Sequence, residues 1–128
     1  MKTIYILIFS FTFLFSGNID FAENLSLAKE KAIKSNKPLM IMYSTATCPE
    51  CNYMKKKVFK NDEVSSYVNK NFIPVVMDIN EDKKQLPYPF IGIPTFFFSD
   101  ATNMKLINKS LGGMREEKFL TVLKSIEK

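Results

Sequence analysis

Apolar and polar positions along this chain fall into blocks of different period, and the period names the element. Residues 4–15 are apolar save for Ser10 and Thr12. Beyond them Phe21, Leu25, Ala28 and Ala32 recur at helical spacing behind Asp20 and Glu23, a capping-box pattern, so a helix is expected from there to about Asn36, stopped by Pro38. Leu39-Met40-Ile41-Met42-Tyr43 is apolar on both alternating faces, as in a central strand covered on both sides. A helix is expected over residues 49–60, opened by Pro49, which has no N–H to leave unpaired and a φ already helical. Asp62 is placed to cap a further helical stretch with Val64, Tyr67 and Val68 inward. Residues 72–77 read as a strand that Pro74 confines to a sheet edge. Residues 80–90 are polar and then Pro-rich, a loop with one helical turn. Strands over residues 95–99 and 104–111 flank a turn at 100–103, a hairpin that Gly112-Gly113 breaks. Residues 116–126 close the chain as a helix with Phe119, Val122, Leu123 and Ile126 on one face. The order predicts an α/β fold, a mixed central sheet of about four strands with helices on both faces.

Length and the first block set the domain plan. With 128 residues the chain holds one domain. Lys2, the apolar run, small Ser16 and Gly17, and a first acid only at Asp20 are laid out as a secretory signal peptide. The run is shorter than the ~20 residues that cross a bilayer comfortably. The expected division is a leader over residues 1–17, with Ala22 as the other candidate boundary, and a domain over residues 18–128. The expected location is therefore exported, periplasmic or otherwise extracytoplasmic, with an uncleaved leader serving as an anchor as the alternative. Net charge is +5 with scattered lysines apart from Lys55-Lys56-Lys57, and there is no Trp. Without aromatic–basic interleaving, no nucleic-acid partner is expected, and a monomer is. The strand methionines read as core filler.

The chemistry lies in the only two cysteines, arranged as Cys48-Pro49-Glu50-Cys51 at a helix start. An exported domain of this size can bury a workable core without a staple, and a bridge closing so short a loop adds little by chain entropy. Reactivity explains the pair better. Disulfide exchange needs an attacking thiolate and a second thiol near enough to resolve the mixed disulfide. The helix end favours the Cys48 thiolate, so Cys48 is assigned as nucleophile and Cys51, one turn in, as the resolving thiol. Zinc would need four ligands, and the chain has no His and no further Cys. No metal site and no cofactor are expected. A copper(I) carrier, which needs only two sulfurs, and a non-catalytic binding module are the alternatives.

The segment from about residue 38 onward, with strand, C-x-x-C, helix, and then Gly92-Ile93-Pro94-Thr95 leading into Phe96-Phe97-Phe98, resembles the thioredoxin superfamily, most closely its small exported thiol–disulfide oxidoreductases. The resemblance implies that Ile93–Pro94 is a cis peptide beside the redox pair. It also implies that Ile93, Pro94 and Thr95 form the substrate-binding stretch, the Ile93 backbone pairing with the substrate chain. Gly112-Gly113 resembles the family's glycine turn near that groove. The implied partners are disulfide-containing exported proteins and a membrane electron-carrier thiol protein as reductant. This sequence departs from thioredoxin proper at Thr47, where Trp is usual, and at Met42, where a buried Asp helps move the resolving thiol's proton. Water or Glu50 would have to do that work here. Pro49 and Glu50 are the tuning residues. A negative Glu50 disfavours the Cys48 thiolate, which points to a reductant or exchanger, although charge accounts for only part of the ~150 mV between thioredoxin and the strongest bacterial oxidant.

Overall fold

The computed structural model describes residues 17–126, so the expected leader lies, apart from Gly17, outside the described residues. The sheet is built on β1 (Leu39–Ser44), every residue of which is buried. Strand order is β2-β1-β3-β4. β1 runs parallel to β2 (Ile73–Asp78) and antiparallel to β3 (Thr95–Ser99), which pairs antiparallel with β4 (Leu106–Leu111). Side chains alternate across the sheet, so β1 and β3 serve two cores. Met40, Met42, Phe96 and Phe98 meet Met54 of α2 (Pro49–Lys56), Val64 and Val68 of α3 (Asp62–Asn71), and Phe119 and Leu123 of α4 (Glu116–Ser125). Leu39, Ile41, Tyr43 and Phe97 meet Ala28 and Ala32 of α1 (Leu25–Ser35) on the other face. The expected mixed sheet with helices on both faces is the fold observed. None of the described helices is long and apolar enough to cross a membrane.

Pro74 explains the sheet's outer edge. In a strand, one residue's N–H and C=O point to the same side. The Pro74 carbonyl accepts the Ala22 N–H at 2.9 Å, on the side away from β1, so its missing N–H also falls outside the ladder. The segment along that edge is tied down further. The Asp20 N–H donates to Asn69 Oδ1 at 2.9 Å, Lys60 Nζ to Asn18 Oδ1 at 2.7 Å, and Phe21 rests on Phe59 with ring centroids 5.5 Å apart.

Several expected boundaries move, each because a different polar group takes the cap. The first helix starts at Leu25, not behind Asp20. Ala22's N–H is engaged by Pro74, which keeps that stretch extended, and Asn24 caps instead, its Oδ1 accepting the Leu27 N–H at 2.9 Å. The helix expected over residues 49–60 stops at Lys56, and a 3-10 turn at Val58–Lys60 lets the adjacent Val58 and Phe59 both turn inward. Asn61, not Asp62, caps α3 by accepting the Val64 N–H at 3.1 Å, while Asp62 and Glu63 occupy the first turn, where the helix dipole favours acids. β4 begins at Leu106 because the turn runs to Lys105: Met104 has φ 57, and the Asp100 N–H reaches Lys105 O at 3.0 Å. The last helix ends at Ser125, with Ile126 as its buried cap.

Candidate redox site

The sheet register brings the sequence-predicted residues to one end of the molecule. Tyr43 pairs with Thr95, so Pro94, just before β3, lies level with Ser44, the last residue of β1. The loop leaving Ser44 carries Thr45, Ala46 and Thr47 into Cys48, which is the N-cap of α2, with extended backbone at φ −79 and ψ 113. Asn52 braces that loop by donating Nδ2–H to Ala46 O at 3.0 Å.

Cys48 and Cys51 form a disulfide, with Cα atoms 5.2 Å apart. The two sulfurs are not equivalent. Cys51 is fully buried in the cluster that holds Met42, Met54 and Phe96, whereas Cys48 is half-buried at the helix tip. The Cys51 N–H donates to Cys48 Sγ at 3.2 Å. Once the bridge opens, that N–H and the helix end both stabilise negative charge on Cys48. Cys51 stays in apolar surroundings, and Met42 adds no carboxylate there.

The Ile93–Pro94 peptide is cis. Pro94 O accepts the Gly112 N–H at 2.8 Å, and Gly112 has φ 96, a conformation that favours glycine. The next residue, Gly113, backs directly onto the Glu50 side chain, where a Cβ would collide. The chain of contacts Pro94, Gly112, Gly113, Glu50 sets the proline loop beside the C-x-x-C turn. Ile93 is half-buried and packs on the cluster that Cys48 also flanks. Thr95 has a structural part: it is 4% exposed, and its hydroxyl donates to Gly92 O at 2.6 Å, holding the loop. Pro49 and Glu50 are exposed on the first turn of α2.

The sequence did not single out a cleft beside Glu50. Arg115 stacks over the Tyr53 ring at 5.3 Å from its centroid and donates from Nη1 to Tyr53 Oη at 2.9 Å. With Glu50, Gly113, Met114 and Lys118 these two line a cleft of about 340 Å³. A lone Arg at a helix start has no sequence signature, and only its tertiary pairing with Tyr53 marks it. A larger hollow of about 520 Å³ between α3 and α4, rimmed by Asp62, Glu63, Lys70 and Lys124, shares no residue with the site. Among the described residues no group of three or more His, Cys, Asp or Glu is placed to hold a metal.

The family profile of a thioredoxin-like domain matches residues 25–127. Spermatogenesis-associated protein 20 of Rattus norvegicus is 37% identical over 54 residues, 42% of this chain but 7% of the rat protein, so the chain spans a small fraction of that relative. Among solved structures, the DsbH oxidoreductase superposes with a TM-score of 0.71 at 18% identity, covering 88% of this chain and 86% of that one. The C-terminal domain of Neisseria meningitidis DsbD, in its reduced form, gives 0.66 at 19% identity over 80% and 94% of the two chains. At these identities the likeness carries the fold.

Proposed function

This chain belongs to the thioredoxin-like domain family, and on that premise we propose that it is a thiol–disulfide oxidoreductase that reduces or exchanges disulfides of exported proteins. The observation that carries the reading is the asymmetry of the pair. A half-buried sulfur sits at a helix tip with a backbone N–H on it, and its partner is buried one turn below. In the reduced protein the Cys48 thiolate attacks one sulfur of a substrate disulfide. The S–S bond breaks, the departing sulfur leaves as a thiolate that takes a proton, and Cys48 holds the other half as a mixed disulfide. The Cys51 thiol gives up its proton and attacks Cys48 Sγ, which releases the second substrate thiol. The Cys48–Cys51 bridge seen in the structure is the product of that step. Two electrons pass from the protein to the substrate.

Direction rests on Glu50, whose charge on the first turn of α2 opposes the thiolate and so favours the oxidised protein, the property of an electron donor. Action outside the cytoplasm rests on Lys2 and the apolar run over residues 4–15. A protein there lacks cytosolic reductant, so a membrane thiol carrier is the fitting source of electrons. Insulin reduction by dithiothreitol, followed by turbidity, tests the activity. Acceleration by the protein, abolished in Cys48→Ser and in Cys51→Ser, is expected. Tight stoichiometric copper(I) binding without turnover would overturn it in favour of a carrier.

A further inference from the structure

Next to the proline loop lies an apolar groove that the redox chemistry does not use. Exposed large apolar side chains scattered singly need no explanation, but contiguous ones around a hollow mark a binding surface. Ile91 is 92% exposed, Leu111 55% and Phe90 38%. With Thr95, Phe97 and Lys109 they line a hollow of about 190 Å³. The topology explains why it is open. On this face α1 lies mainly over β1 and β2, and at the end of β3 and β4 where Thr95 pairs with Leu111 the neighbouring wall is residues 89–91. Residues 89–91 form the opposite wall, anchored where Phe90 meets Tyr43 edge-on at 5.4 Å. The Lys109 stem adds methylenes to the wall while its charge stays in water.

The groove opens at the same end of the sheet as the C-x-x-C turn, on the face opposite the cluster that buries Cys51. Leu111 directly precedes Gly112, whose N–H binds Pro94 O, and a Cβ on Gly92 would touch Leu111 Cδ1 at 3.5 Å. Ile91 is three residues from Pro94, at most about 10 Å along the chain. Pro94 lies level with Ser44, at the sheet end from which the loop to Cys48 leaves, so a substrate bound at Cys48 and extended across Pro94 comes to the groove within a few residues. In an extended chain, side chains two apart share a face.

We propose that Phe90, Ile91 and Leu111 form a specificity subsite for an apolar side chain two or three residues from the reacting cysteine of an extended substrate. The proposal rests on the oxidoreductase reading and adds the class of substrate. Burying one aliphatic side chain corresponds to a preference of about tenfold or more.

The test uses short peptides carrying Cys, Ala and then Leu or Ser, presented as mixed disulfides with glutathione. The unaltered reduced protein is expected to favour the Leu peptide by about tenfold or more in kcat/KM, and the Ile91→Ser, Leu111→Ser double variant to lose most of that ratio. Equal rates for the two peptides with the unaltered protein would overturn the proposal. If neither peptide is turned over, the redox reading fails separately, and peptides with Ser in place of Cys then decide the subsite. Saturable shifts of the Ile91 and Leu111 methyl signals in NMR, seen with the Leu peptide and not with the Ser one, keep it. Their absence removes it.

Discussion

Replacing Glu50 by Gln removes one negative charge from the first turn of the active-site helix and leaves its shape nearly unchanged. Glu50 is exposed, and among the described residues the one ion pair is Lys34 with Glu30 at 3.1 Å, so solvent rather than a paired cation screens it. Cys48 is the N-cap and Glu50 stands two residues on, with the two side chains not facing each other, and a separation of about 7 Å is taken for their charges. Two unit charges at that distance repel by about 0.6 kcal/mol in the dielectric of water and about 1.2 kcal/mol at half that value. The repulsion exists only in the reduced protein, since the bridged sulfurs carry no charge. Its removal therefore stabilises the reduced form to the extent that Cys48 is a thiolate, and raises the reduction potential by up to about 10–25 mV, taking about 30 mV per 1.4 kcal/mol. Equilibration in glutathione redox buffers at pH 7, with the bridged fraction read by alkylation and mass, measures this. Glu50→Lys should shift the potential about twice as far, and 1 M salt, with a screening length of about 3 Å, should shrink both shifts. A potential that stays put or falls in Glu50→Gln would refute the reasoning.

Other consequences concern the scaffold. Phe59 touches the rings of Phe21, Phe96 and Phe119 at 5.5, 6.2 and 5.9 Å, so Phe59→Ala should cost about 3–5 kcal/mol in urea unfolding. Tyr43 Oη donates to Tyr88 O at 3.0 Å and accepts the Tyr88 N–H at 2.9 Å, so Tyr43→Phe orphans both groups and should cost about 1–3 kcal/mol. Burial holds the Tyr43 and Tyr88 hydroxyls above their ordinary value of 10.0. The unfolded chain therefore loses those protons first, and stability should fall as pH rises above about 10, less steeply in Tyr43→Phe, as urea midpoints across pH would show. Gly112, at φ 96, should lose about 1–3 kcal/mol as Ala, whereas Gly92→Ala, whose new methyl meets only an ordinary contact, should melt close to the unaltered protein.

The sheet was legible in the sequence because burial on both sides leaves a plain record: Leu39 through Tyr43 and Phe96-Phe97-Phe98 are apolar throughout, and Pro74 identifies its strand as an edge. The C-x-x-C pair was legible because its spacing is local. Caps were less so. Asn24 and Asn61 each lie within a few residues of an equally suitable acid, and at the first of them the deciding contact is tertiary, Ala22's bond to Pro74. The pairing of Arg115 with Tyr53, the contact of Gly113 with Glu50 and the groove between Ile91 and Leu111 join segments far apart in the chain, which no local period records.

The division of labour between the two sulfurs is the core of the account, and trapping tests it most directly. Reduced Cys51→Ser protein, mixed with a protein disulfide and quenched in acid, should accumulate a covalent complex that dithiothreitol releases, with peptide mass mapping the link to Cys48. Cys48→Ser should form none. A complex formed through Cys51 in Cys48→Ser, or none in either variant, would contradict the account.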